Sequence, residues 1–348
     1  MLKAFFEAEI ASKDAFSFCE IFCNKNLDRA YIEVKRWTNM QEKTIFHILP
    51  LNIRKLIREE HIDLGRLQEI RLRVEKPLLL MYEGVERIPR YSDNKTHIVS
   101  KEEINTVMEY VSNYSLYAFE EEMRQGFITV DGGHRVGITG QVIVEHGSVR
   151  NIRYISSLNI RISHEIPGCS DSVFPFITDS QGMLHTLLIS PPGCGKTTMM
   201  RDIIRQVSDG NEYINGMTVG VVDERSEIAG CYCCIPQNDM GIRTDVLDCC
   251  PKAEGMIMMI RSMRPDVLAV DEIGEPEDVQ AVSYAMHCGV KMLATAHGES
   301  MEELKRKPVF SEMIREERFE RYVFLKNRGQ IDKVYDSGGS VIECCLKY

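Results

Sequence analysis

"LLISPPGCGKTTMMRD", residues 187 to 202, carries Gly195, Lys196 and Thr197 in the arrangement that holds a nucleotide's phosphates. Such a loop needs a buried strand that ends abruptly, a run of backbone N–H groups curled round an anion, a lysine for the β/γ oxygens and a hydroxyl for Mg²⁺. Each part has a residue here. Leu187, Leu188 and Ile189 read as a short core strand, and Pro191 and Pro192 force an extended exit. Gly193 and Gly195 can take the positive φ angles of the nest, and the N–H donors run from Gly193 through Cys194, Gly195, Lys196 and Thr197 to Thr198. They open a helix expected to reach about Val207, whose N-terminal dipole also favours an anion. ATP with Mg²⁺ is therefore the expected ligand. Ser190 stands where the pattern has its first glycine; as the last strand residue it need only be small, provided its φ stays negative. The competing reading, an ordinary glycine-rich turn, leaves Lys-Thr-Thr without a packing use.

Working outward, 348 residues suggest two domains, each large enough for its own core. A net charge of -10 argues against extensive nucleic-acid binding, though not against a local basic groove. No run approaches the roughly 18 apolar residues of a membrane span. The acids Glu7, Glu9, Asp14 and Glu20 do not suit a cleavable signal. A cytoplasmic protein without an integral membrane segment is expected. Of the 12 cysteines, Cys249-Cys250 and Cys344-Cys345 are adjacent pairs, while Cys231, Cys233 and Cys234 crowd one loop. Reduced thiols acting as small hydrophobes are the plainest reading. A zinc site on Cys231, Cys234, Cys249 and Cys250 is the alternative, although the adjacent second pair does not match the usual zinc patterns.

Residues 1–39 mix charges and aromatics without a period, and a fresh start follows at Met40; they read as a leader of uncertain status. Residues 40–167 read as a small α+β domain: strand-like "LQEIRLRVEKPLLLMY" from Leu67, a helix from about Glu102 to Phe119, then "GFITVDGGHRVGITGQVIV" with its Asp-Gly-Gly hairpin signal, and "SLNIRIS". Residues 168–348 alternate strand and helix in "TLLIS", "MTVGVVDE", "AEGMIMMIRSM", "DVLAVDEI", "PEDVQAVSYAM" and "KMLATAHG". That order implies right-handed βαβ units and a parallel sheet covered on both faces, with active groups at the carboxyl ends of its strands. The tail after Lys307 reads as helix plus hairpin.

Several groups gather at those strand ends. Asp271 and Glu272 follow "VLAV", which suits Asp271 to Mg²⁺, together with Thr197, and Glu272 to polarising an attacking water. Asp223 and Glu224, after "VGVV", compete for the base role, and sequence alone does not rank the two sites. His297 ends the next strand, where it either senses the γ-phosphate or merely packs. Arg243 either faces a neighbouring subunit or pairs with Asp245.

The stretches "SPPGCGKTTMMRDIIRQVSDG", "VGVVDERSEIAG", "PQNDMGIRTDVLD", "AEGMIMMIRSMRPDVLAVDEIG" and "ATAHG" closely resemble the stage III sporulation protein AA family of endospore-forming bacteria, over roughly residues 45 to 348. That family is similar to the ATPases of type II and type IV secretion and pilus machines. The resemblance implies a RecA-like P-loop ATPase core preceded by the smaller α+β domain. It further implies that Asp223, Glu224 and His297 lie at the nucleotide, and that Arg135 and Arg161 of the first domain reach a neighbouring subunit's nucleotide. A hexameric ring, peripheral to the membrane and working on the channel proteins of a secretion-like complex between mother cell and forespore, is the implied assembly. Ser190 and the residues before Met40 depart from the family's pattern. The alternative function is a single-stranded nucleic-acid-dependent ATPase, suggested by five arginines between Arg124 and Arg161 against Asp131 and Glu145. No aromatic-interleaved basic stripe supports it.

Overall fold

The computed structural model describes residues 44–112 and 120–342. The expected leader, Met40 and the Cys344-Cys345 pair lie outside the described residues. Two sheets organise the chain. The first has six strands in the order β3-β2-β1-β6-β5-β4: β1 (Leu67–Arg73), β2 (Leu79–Tyr82), β3 (Val85–Arg87), β4 (Phe127–Val130), β5 (His134–Glu145) and β6 (Ser148–Arg161). Every neighbouring pair in it is antiparallel. One face packs on α1 (Leu51–Glu59) and α2 (Lys101–Val111) through Ile53, Leu56, Ile70, Leu72, Ile104 and Val107. Ser100 begins α2 with a reciprocal capping box to Glu103, a start the sequence shows as Ser-x-x-Glu. The expected helix to Phe119 is observed only to Val111; residues 113–119 lie outside the described ones. The expected hairpin turn is present: Gly132 and Gly133 join β4 to β5 with φ of 82° and 70°. A second long hairpin was not legible. β6 starts at Ser148, after His146 and Gly147 turn the chain with positive φ, whereas the alternation in the sequence marks only its last residues.

The second sheet has seven strands in the order β11-β10-β12-β13-β9-β14-β15. β9 (Thr186–Ser190), β10 (Val219–Asp223), β11 (Thr244–Asp248), β12 (Val267–Val270), β13 (Lys291–His297) and β14 (Arg321–Lys326) are parallel, and β15 (Gln330–Tyr335) closes the edge as an antiparallel hairpin. Two short strands, β7 (Thr178–Asp179) and β8 (Gly182–Met183), form a separate hairpin before it. Successive side chains enter opposite cores, as period 2 requires. Leu187, Ile189, Leu268, Val270, Met292 and Ala294 face one side, and Leu188, Val221, Ala269 and Leu293 the other. Burial on both faces explains why these strands read as unbroken apolar runs. β11, inside "MGIRTDVLD", is too polar to be read that way, because it sits at the edge. The helices, continuing the numbering, are α3 (Glu120–Gln125), α4 (Phe174–Ile177), α5 (Lys196–Asp209), α6 (Lys252–Met263), α7 (Pro276–His287), α8 (Met301–Arg306) and α9 (Pro308–Arg315).

The segment after β10 joins the sheets. Gly132 N donates to Gln237 Oε1 at 3.1 Å, and Ser163 Oγ to Asn238 Oδ1 at 3.3 Å. Arg201 of α5, buried, donates to His164 O, Glu227 O and Ile228 O at 3.0, 2.9 and 2.7 Å. One guanidinium thus ties the P-loop helix to the strand leaving the first sheet and to the loop leaving β10.

Candidate nucleotide site

β9 ends at Ser190, whose φ is not positive and whose side chain is fully buried, so no glycine is required there. Gly193 follows with φ 75°, and Gly195 caps α5 from the left-handed region at φ 91°. Nothing lies within 4 Å of the position a Cβ on Gly193 would take, which leaves the loop's mouth open. Gly329 N donates to Cys194 O at 2.7 Å, bracing the loop from behind.

Strand register brings the remaining groups to that loop. β13 pairs with β9 so that His297 stands beside Ser190, and Lys196, only 6 % exposed, donates from Nζ to Ser190 O at 3.1 Å and to His297 Nδ1 at 2.9 Å. With the lysine donating to Nδ1, the ring proton stands on Nε2. It faces Glu272 Oε1 at 2.7 Å. Arg225 Nη1 donates to the other oxygen, Oε2, at 3.1 Å. Glu272 itself takes φ 52°, an unusual angle for a side-chain-bearing residue. Its N–H donates to Thr295 Oγ1 at 2.9 Å. Thr295 Oγ1 donates in turn to Asp271 Oδ1, and Thr197 Oγ1 donates to Asp271 Oδ2 at 3.1 Å. A hydroxyl and a carboxylate side by side are hard oxygen donors of the kind Mg²⁺ takes, with water and phosphate filling the other positions.

Electrostatics follows the contacts. Burial pushes the Lys196 ammonium below the usual lysine range, against the pull of Asp271 and Glu272. Burial also raises Glu272, but the His297 hydrogen bond and the charges of Arg225 and Lys196 outweigh it and leave the carboxyl below its ordinary value.

The second acidic strand end is built differently. Asp223, 1 % exposed, accepts the N–H of Glu227 on one oxygen at 2.8 Å and those of Ile228 and Ala229 on the other at 2.9 and 2.8 Å. Burial pushes it up to about 6 despite those bonds. Glu224 pairs with Lys252 Nζ at 2.8 Å. Neither carboxylate belongs to the ring of contacts around Lys196.

Arg135 and Arg161 lie opposite each other on β5 and β6, with Glu69 of β1 next in the row. Arg135 bonds Glu227 and stacks over Phe127 at 3.4 Å from the ring centre; Arg161 Nε stands 4.0 Å from Glu69. Both arginines line one cavity of about 300 Å³ with Arg225 and Glu227 of the same chain. Arg243 does not pair with Asp245: its Nη1 donates to Ser208 O at 2.8 Å near the end of α5. Among the described residues no group of three His, Cys, Asp or Glu side chains is arranged to hold a metal ion, so the cysteines form no zinc site there. Nor are they mainly buried hydrophobes. Cys231 is buried, but Cys233, Cys234, Cys249 and Cys288 are exposed. Sequence reading missed Thr295 and Arg225 as site residues. Thr295 had a signal: two residues before His297 on one strand, it shares that residue's face.

The strand carrying Asp271 is separated from the P-loop strand by β13, and this order, with the phosphate nest at the end of β9, defines the RecA-like P-loop NTPase class. The X-ray structure of the Legionella pneumophila ATPase DotB has this fold: TM-score 0.54, 15% identity, covering 80% of this chain and 76% of that one. So has the pilus retraction motor PilT with bound ADP, at TM-score 0.50 and 15% identity, covering 77% of each chain. The family model for sporulation stage III, protein AA matches residues 39–342. A Bacillus subtilis (strain 168) protein, stage III sporulation protein AA, is 42% identical over 279 residues, which are 79% of this chain and 89% of that protein. The chain belongs to the stage III sporulation protein AA family. It is also similar to Arabidopsis thaliana protein SEEDLING PLASTID DEVELOPMENT 1, at 28% identity over 164 residues, 46% of this chain and 23% of that protein.

Proposed function

We propose that this chain is an ATP-hydrolysing motor. The ring of contacts joining Lys196, His297 and Glu272 beside the Thr197–Asp271 pair carries the reading, because it sets a phosphate-binding cation, a base and a metal-ligating pair round one open loop. Lys196 takes the β/γ oxygens, and the N–H groups from Gly193 to Thr198 receive the β-phosphate. Thr197 and Asp271 hold Mg²⁺, which supplies charge neutralisation at the phosphate oxygens. Glu272, held ionised by its neighbours, accepts the proton of the attacking water, and His297 fixes its orientation. Asp223 serves the loop instead, since its oxygens are filled by backbone donors. The cavity that Arg135 and Arg161 share with their own chain's Arg225 favours service to the nucleotide of the same subunit, rather than a neighbour's.

The family suggests the setting: a cytoplasmic, hexameric ring, peripheral to the membrane, that energises a secretion-like channel complex between mother cell and forespore. No helix among the described residues is long and apolar enough to cross a membrane; attachment through partner proteins is the reading the family suggests. Turnover of ATP by the wild-type protein and by Lys196→Ala, with and without single-stranded DNA, tests the reading. Hydrolysis lost in the variant and indifferent to DNA supports it. Undiminished turnover in Lys196→Ala overturns it, and a large stimulation by DNA moves the assignment to a nucleic-acid-dependent ATPase.

A further inference from the structure

In the sequence Arg225 is merely the residue after two acids. In the structure it links two neighbouring spaces. On one side Nη1 bonds Glu272 Oε2; on the other the side chain lines the cavity of Arg135 and Arg161. That cavity's walls carry three guanidiniums against one carboxylate, and Glu227 is already taken by Arg135. Arg135 feels both of the other cations, and Arg161 has, among the described residues, only Glu69 at 4.0 Å as an ion-pair partner. Surplus positive charge of this kind awaits an anion. Arg225 is also free to move: its side chain is 59 % exposed, and its bond to Glu272 is a surface ion pair, weak enough to exchange.

We propose that Arg225 is the residue that distinguishes ATP from ADP, bonding Glu272 when no γ-phosphate is present and a γ-phosphate oxygen when one is. The inference rests on the nucleotide reading above and deepens it. Two hydrogen bonds, through His297 and Glu272, separate Lys196 from the carboxylate oxygen that Arg225 holds. A terminal phosphate seated at Lys196 therefore stands near a long, exposed, forked cation whose present partner is shared with His297. Guanidinium geometry suits phosphate oxygens, and the arriving charge exceeds what a shared carboxylate offers. Moving Arg225 has a second effect. Oε2 of Glu272 is released to a water at the moment the triphosphate arrives. ADP, ending at its β-phosphate, leaves the arginine where it is.

Equilibrium binding of ADP and of a non-hydrolysable ATP analogue, each with Mg²⁺, is the test, on wild type, Arg225→Ala and Arg225→Lys. Arg225→Ala is expected to lose about tenfold or more in affinity for the triphosphate, the scale of a charge-assisted hydrogen bond, with ADP affinity unchanged. Arg225→Lys should recover only part, since a point charge replaces a fork. An unchanged triphosphate-to-diphosphate ratio in Arg225→Ala overturns the proposal, and so does an equal loss of both nucleotides, which would mean that the arginine merely shapes the site. The nucleotide reading itself fails differently: wild type would bind neither ligand, or Lys196→Ala would bind both as well as wild type.

Discussion

Glu272 and Asp223 follow apolar runs of similar composition at the ends of parallel strands, yet their surroundings differ, and the proposed mechanism gives them opposite work. Glu272 has one oxygen on His297 and one on an exchangeable arginine, so a water can reach it. Glu272→Gln is therefore expected to keep nucleotide affinity while slowing hydrolysis about 10²-fold or more, the usual scale for losing a general base; near-normal turnover would remove Glu272 from the mechanism. Asp223 is buried under three backbone donors, and its change belongs to stability. Asp223→Asn replaces one acceptor by a donor that faces N–H groups, a mismatch of about 1–3 kcal/mol in a buried site. The pH dependence has a definite sign. Unfolded Asp titrates near 4 and the folded group near 6, so its contribution favours the folded state fully below about 4 and is lost as pH rises through 6. The stability advantage of wild type over Asp223→Asn should accordingly shrink by on the order of 2 kcal/mol between pH 4.5 and 7.5. Denaturant titrations across that range check it, and a gap that widens with pH would refute the assignment.

At the scale of elements, α5 is the part that connects nucleotide to fold. Its first two residues, Lys196 and Thr197, are those proposed for the phosphate and the metal, and its sixth, Arg201, makes the joint between the two sheets. That one buried guanidinium reaches three carbonyls from two segments, one of which, Ile228 O, it shares with Asn238 Nδ2. Arg201→Met would take this donor from His164 O and Glu227 O, while Ile228 O keeps Asn238 Nδ2 at 2.9 Å; the loss is expected at roughly 3–5 kcal/mol and would loosen residues 224–238 before the rest of the chain. Denaturation together with amide exchange in that segment measures both effects. A loss under about 1 kcal/mol, with exchange unaltered, would show that the joint does not depend on Arg201.

For the whole molecule, the placement of Arg135 and Arg161 makes a statement about assembly. Arg161→Ala is expected to bind ATP and hydrolyse it poorly. On the proposal that each chain's arginines serve its own loop, no activity should return when it is mixed with Lys196→Ala subunits. Recovery above the sum of the parts, with co-assembly demonstrated, would give the arginines to a neighbour. Residues before 39 lie outside the family match, and their sequence shows no apolar period that asks for a partner surface. Removing residues 1–39 should leave melting temperature and ATPase turnover nearly unchanged. A clear fall in melting temperature would mean that this stretch packs on the folded chain.

What the sequence determined by itself was the part written in local chemistry. The glycines of the nest, the lysine and hydroxyl after them, the acid pair ending "VLAV" and the doubly buried strands each require particular residue types in consecutive positions, so they are legible without a partner in view. The polar edge strand β11 and the first part of β6 escaped because their pairing partners, not their own residues, make them strands. Telling the surroundings of Glu272 from those of Asp223, and finding the contacts of Thr295 and Arg225, required the tertiary structure. Carboxylates at two strand ends look alike along the chain; only the register of β13 against β9 and the folding of the 224–240 segment decide which one meets Lys196 through His297 and which is sealed under backbone donors. Those contacts join residues tens of positions apart, and no local pattern records them.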